Sequence, residues 1–132
     1  MSRLPRAHEY LKTGFTAEAA SAARFRASAV RAERDGHPNL ARAWRELAGA
    51  KDELARVQLE ASGQLRADTQ ELSAALAEER YENDSLYPRM MREVDGETAK
   101  VFAEVVAKQQ EHLARLESLL DTLTRSPGDL PG

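Results

Sequence analysis

Apolar residues recur along almost the whole chain at intervals of three and four, the period of an amphipathic helix. Ala, Glu, Leu and Arg dominate and β-branched residues are few, which favours helix throughout. The pattern predicts four helices. The first runs from Pro5 or Ala7 to Arg34, with Gly14 a weak point inside it. "DGHP" at 35–38 ends it: Gly36 suits a helix C-terminus and Pro38 a first helical turn. The second runs from Pro38 to about Ser62, with Gly63 near its end. Asp68 and Glu71 have the spacing of a capping box and open the third, which extends to about Val94. Pro88 removes a hydrogen bond within it and predicts a kink. "DGET" at 95–98 is a second break, and the fourth helix reaches about Arg125. "SPGDLPG" is expected to be frayed, giving a domain over 1–126 and a disordered tail over 127–132.

At heptad spacing each helix has a readable seam. The first gives Leu11, Phe15, Glu18, Ala22, Phe25 and Ala29. The second gives Leu40, Trp44, Leu47, Lys51 and Leu54. The third gives Leu72, Leu76, Glu79, Glu82 and Leu86. The fourth gives Phe102, Val105, Gln109, His112, Leu116, Leu119 and Leu123. Every seam is apolar at both ends and polar near its middle. Four interruptions at similar depth predict one polar layer inside an all-α four-helix bundle. A faint internal repeat supports this, since "RDGHPNLARAWRELA" is similar to "VDGETAKVFAEVVA".

Composition narrows the chemistry. A length of 132 residues suits one domain. A net charge of −3 argues against a nucleic-acid or anionic-membrane partner. The absence of cysteine excludes disulfides, iron–sulfur clusters, thiolate zinc sites and a cysteine nucleophile, and a cytoplasmic location is expected. "MSRLPRAHEY" lacks the apolar segment of a secretory signal, and no apolar run approaches the ~20 residues of a membrane span. There is no glycine-rich phosphate loop. His8 and His37 are read as surface or cap residues, Trp44 and Phe102 as core, and Tyr81 as flanking.

Buried carboxylates without partners cost several kcal/mol each, so Glu18, Glu79 and Glu82 must share protons, pair with cations or bind metal. Here the chain resembles the rubrerythrin branch of the ferritin-like superfamily over roughly residues 10–123. "GFTAEAASAARF" resembles its first-helix segment, with Glu18 at the ligand position. "AEERYENDSLYP" resembles the stretch with a ligand Glu, a second Glu three residues on, and a Tyr-Pro pair; Glu79, Glu82, Tyr87 and Pro88 match those four. "VFAEVVAKQQEHLARLESLL" resembles the last helix, with His112 at the His ligand. The resemblance implies a ferritin-like bundle with a di-iron centre. The chain departs from it at Lys51 and Gln109, which stand where the family places bridging glutamates, and at Leu54, which stands where it places a His. Phe25 replaces a family Tyr, and there is no rubredoxin domain.

These departures predict a buried polar layer of Glu18, Lys51, Glu79, Glu82, Gln109, His112 and Tyr87 that keeps the fold without the metals. The Lys51 ammonium takes roughly the place of one iron and pairs with Glu18 and Glu82, and Gln109 donates to a carboxylate. No cofactor is then expected, and the protein is a non-catalytic scaffold or binding protein. The alternative is a metal-dependent, peroxidase-like oxidoreductase or iron-handling protein, with one iron, manganese or zinc ion held by Glu79, His112 and Glu82 or Glu18. Tyr87 is a redox tyrosine by resemblance; as a residue it reads as packing, with its hydroxyl on a buried carboxylate. A plain coiled-coil interaction protein ranks last.

In ferritin-like bundles the second and third helices run parallel. A 25-residue helix is roughly 37 Å long and needs at least ~11 extended residues to retrace. Residues 63–67 offer about half that. Either the second helix ends early, or the bundle is up-down-up-down, or the third helix continues into a partner. The last, a domain-swapped homodimer, is the expectation.

Overall fold

The computed structural model describes residues 6–132 and is helical, with no strand among them. Pro5, one of the two expected starts of the first helix, lies outside the described residues. The chain divides after Leu65 into two compact units, each a helical hairpin.

The first hairpin pairs α1 (Ala7–Arg34) with α2 (Pro38–Ala61). Gly36 takes φ +79°, which a side chain would resist, and turns the chain after α1. His37 occupies the N-cap and Pro38 opens α2, as the sequence predicts. Gly14 does not interrupt α1. The Gln58 side chain crosses there, with Oε1 1.7 Å from where a Cβ would stand, so the glycine permits a close approach of the two helices.

The packing differs from the predicted seam. The buried stripe of α2 is Ala41, Ala48 and Ala55, and it faces Ala22, Ala29 and Ala32 of α1. Leu40, Leu47 and Leu54, expected in the core, stand one position away and are half-exposed. Alanines at seven-residue spacing let two helix backbones come close, and a close pair leaves no room for leucine between them. Phe25 stacks on Trp44 beside this stripe, with ring centroids 5.1 Å apart. Arg26–Asp52 and Arg45–Glu33 ion pairs flank the seam, and His8 Nδ1 lies 2.9 Å from the Ser62 carbonyl oxygen, tying the start of α1 to the end of α2.

The second hairpin contains α3 (Asp68–Tyr81), a π-helical turn (Glu82–Leu86), α4 (Tyr87–Met91) and α5 (Gly96–Arg125). Asp68 is not a cap: Ala67 holds that position without a side-chain bond, and Glu71 reaches back to accept from the Arg66 backbone N–H at 3.0 Å. The third predicted helix ends at Met91 rather than Val94. Its break is a wide turn ahead of Pro88, and the proline falls in the first turn of α4, where its missing N–H costs little. Asn83 inside the π-helical turn is buried, and its Nδ2 donates to the Val106 carbonyl of α5 at 2.8 Å. The π-helical turn also lengthens one repeat: Glu18 precedes the stacked Phe25 by seven residues, and Glu79 precedes the stacked Tyr87 by eight. Residues 127–130 line a cleft with Leu72, Ala75 and Leu123, so this part of the tail lies against α3 and α5.

The second "DG" serves differently from the first. Asp95 is the N-cap of α5, accepting from the Thr98 backbone N–H at 2.8 Å and from its hydroxyl at 3.1 Å. These two bonds hold the Asp95 carboxyl below its ordinary pKa. A depressed folded-state pKa makes the cap's contribution complete above the ordinary carboxylate pKa and progressively lost as pH falls through the lower folded value. Asp95→Ala is expected to lower the thermal midpoint at pH 7 and to converge on wild type towards pH 2. Melting curves followed by circular dichroism between those pH values check this.

Candidate functional site

Each hairpin carries half of the predicted polar layer. In the first, Lys51 Nζ lies 2.8 Å from Glu18 Oε2, and the two side chains are 31% and 24% exposed. Seven residues before Lys51 stands Trp44, and seven after Glu18 stands Phe25, so the aromatic pair lies one heptad from the ion pair. The lysine stem packs along the hairpin, and its ammonium is the only cation within the half-layer to meet the carboxylate.

In the second hairpin, Gln109 is buried and its Nε2 donates to Glu82 Oε1 at 2.7 Å. Glu79 Oε1 lies 3.4 Å from His112 Nδ1, a contact that becomes an ion pair when the ring is protonated. Glu79 Oε2 and Gln109 Oε1 are buried with no hydrogen-bond partner among the described residues. Two expectations need correction. His112 was expected inside the layer, but its side chain is 58% exposed, on the rim of a cleft beside Glu79. Tyr87 does not place its hydroxyl on a carboxylate among the described residues; its ring packs on Phe102 with centroids 5.6 Å apart.

Asn83 belongs to this half-layer and was missed. Leu76, Glu79, Asn83 and Leu86 follow the helical 3-4-3 spacing, and this signal was available in "LAEERYENDSL". Glu82, taken for the seam, stands beside that stripe and reaches in through Gln109.

The side chains do not fit a di-iron centre. A bridging ligand must be a carboxylate free to bind two cations. Lys51 brings a positive charge to one such position, and Gln109 spends its amide N–H on Glu82 at the other. Among the described residues no three His, Asp or Glu side chains gather as a group able to hold a metal ion. Nor is any helix among them long and apolar enough to cross a membrane. No protein-family model matches the sequence, and comparison with curated proteins finds no match.

Proposed function

We propose that the protein is a degenerate relative of the rubrerythrin-like, ferritin-like bundles, in which a lysine–glutamate and glutamine–glutamate network has replaced the metals. It acts as a non-catalytic helical scaffold or binding protein. The observation that carries this reading is the 2.8 Å contact of Lys51 Nζ with Glu18 Oε2 at the position of a bridging ligand. A cation on a short tether neutralises a carboxylate without recruiting an ion, and it repels one that approaches.

A second reading, a metal-dependent oxidoreductase with a reduced site, is favoured by one observation. Glu79 keeps a buried oxygen without a hydrogen-bond partner among the described residues, and His112 lies next to its other oxygen. Those two residues would be the first ligands of a single iron, manganese or zinc ion, with Glu82 beside them. The ion would supply Lewis-acid or redox chemistry, and Glu79 and His112 would fix its place on α3 and α5.

Metal content per chain decides between the readings, measured by elemental mass spectrometry after expression with added iron and manganese. Wild type is expected to hold well under one equivalent, and Lys51→Glu to take up metal. One or more equivalents in wild type, lost in Glu79→Ala, would overturn the scaffold reading in favour of the metal site.

A further inference from the structure

On α2, Leu40, Leu47 and Leu54 stand seven residues apart and are 49%, 51% and 49% exposed. Lys51 sits among them, so the exposed stripe is apolar at both ends and charged in between. On the second hairpin, Val101 is 58% exposed and lines with Val105, Glu79 and Gln109 a cleft of about 430 Å³. This face has the same order, valines and then the polar layer. A seven-residue leucine repeat left half in water is a helix seam without its partner. The stripe is uncovered in the single chain, so its cover comes from another molecule.

Charge points to the partner. Residues 1–65 carry 11 Lys and Arg against 8 Asp and Glu, net +3, whereas residues 66–132 carry 8 against 14, net −6. Pairing two like hairpins brings like charge together, and pairing unlike hairpins brings opposite charge together. The register agrees. Lys51 lies ten residues before the end of α2 at Ala61, and Glu79 lies eleven after the start of α3 at Asp68. At a rise of 1.5 Å per residue these are ~15 Å and ~17 Å from the joint between the hairpins, so an α2 antiparallel to an α3 brings the two side chains level.

We propose that the partner is a second copy of this chain: the acidic second hairpin of each copy lies on the leucine stripe of the other's basic first hairpin, closing a twofold dimer. Each of its two polar layers combines Glu18 and Lys51 of one copy with Glu79, Glu82 and Gln109 of the other. Lys51 keeps Glu18 and gains Glu79, whose buried oxygen lacks a hydrogen-bond partner among the described residues. This pairing rests on the ion-pair reading of the layer. Metal content tests that reading by a different measurement, so the two fail separately.

The test mixes two charge variants in buffer with EDTA and reads the dimer dissociation constant by light scattering and sedimentation. Lys51→Glu removes the cation from both layers of its homodimer. Glu79→Lys/Glu82→Lys removes the matching anions from both layers of its own. A mixed dimer has one wild-type layer and one in which the two changes compensate. Wild type is expected at twice the chain mass at micromolar concentration. Each variant alone should dissociate at least tenfold more readily, and the equimolar mixture should return to within about threefold of wild type. Leu47→Gln, which disturbs no buried position, should give a monomer of unchanged helicity by circular dichroism. A wild-type monomer, a mixture no tighter than its components, or an unchanged Leu47→Gln dimer would each overturn the proposal.

Discussion

Ala29→Leu is expected to destabilise the first hairpin by about 2–3 kcal/mol, at the upper end for forcing extra methylene groups into a packed core. Ala29 and Ala41 are both 0% exposed and lie in one cluster with Ala32, against which Trp44 packs. A leucine at 29 has three added carbons and no void to receive them. Every staggered rotamer drives them into α2 or into the Phe25–Trp44 pair, so α1 and α2 must separate along their whole alanine stripe. Separation also loosens Lys51 from Glu18, which lie on the same two helices. For a unit of this size the loss corresponds to a fall of roughly 10 °C or more in the thermal midpoint. Ala43→Leu is the control: Ala43 is exposed on α2, two positions from Ala41, and its change should stay within about 0.5 kcal/mol. Urea unfolding of both variants beside wild type checks the pair. An Ala29→Leu variant that unfolds like wild type would mean that the helices are not closely packed there.

The same alanines explain where the sequence reading succeeded and where it failed. Helix ends were legible because they depend on local chemistry: Gly36 at positive φ, Pro38 in a first turn, Asp95 before a free helix N-terminus. The period of α2 was legible too. Its phase was not, because hydrophobicity ranks leucine above alanine and places Leu40, Leu47 and Leu54 inward. The hairpin is instead closed by the residues that let the backbones approach, and size rather than hydrophobicity selects those. The leucine stripe was thus read for a whole bundle, and within the first hairpin it is a flank. In α3 the obstacle was a single residue. The π-helical turn at Glu82–Leu86 shifts the phase by one position, which moves Asn83 into the stripe and Glu82 to its side. No pattern of apolar residues announces such a turn. Of the predicted layer, the pairs Glu18–Lys51 and Glu82–Gln109 were legible as charge and hydrogen-bond complements at matching depth. His112 was placed by its spacing alone, and exposure at the rim is compatible with the same spacing.

Lys51→Met is expected to cost more than the ion pair itself is worth. Removing one member of a buried pair costs about 3–5 kcal/mol, because the other charge stays behind in a poor solvent. Here Glu18 is 24% exposed and Lys51 31%, so water offsets part of the penalty and about 2 kcal/mol is expected. The penalty belongs to the abandoned Glu18 carboxylate, and it should vanish when that charge is removed as well. Glu18→Gln/Lys51→Met is therefore expected within about 1 kcal/mol of wild type, since a neutral amide and a thioether fill similar volume and neither must be desolvated as an ion. The double-mutant cycle should then give a coupling energy of about 1–2 kcal/mol between the two positions, measured by urea unfolding at one fixed protein concentration. Additive single effects would mean that the 2.8 Å contact carries no energy, and the lysine would then be an ordinary solvated side chain on a helix flank. A coupled pair would mean that folding itself retains Lys51 beside Glu18, whatever binds to the assembled protein. Salt sharpens the distinction: a screened surface pair loses its coupling between 0.05 and 1 M NaCl, on the order of the fall in Debye length from more than 10 Å to about 3 Å, and a sheltered pair keeps most of it.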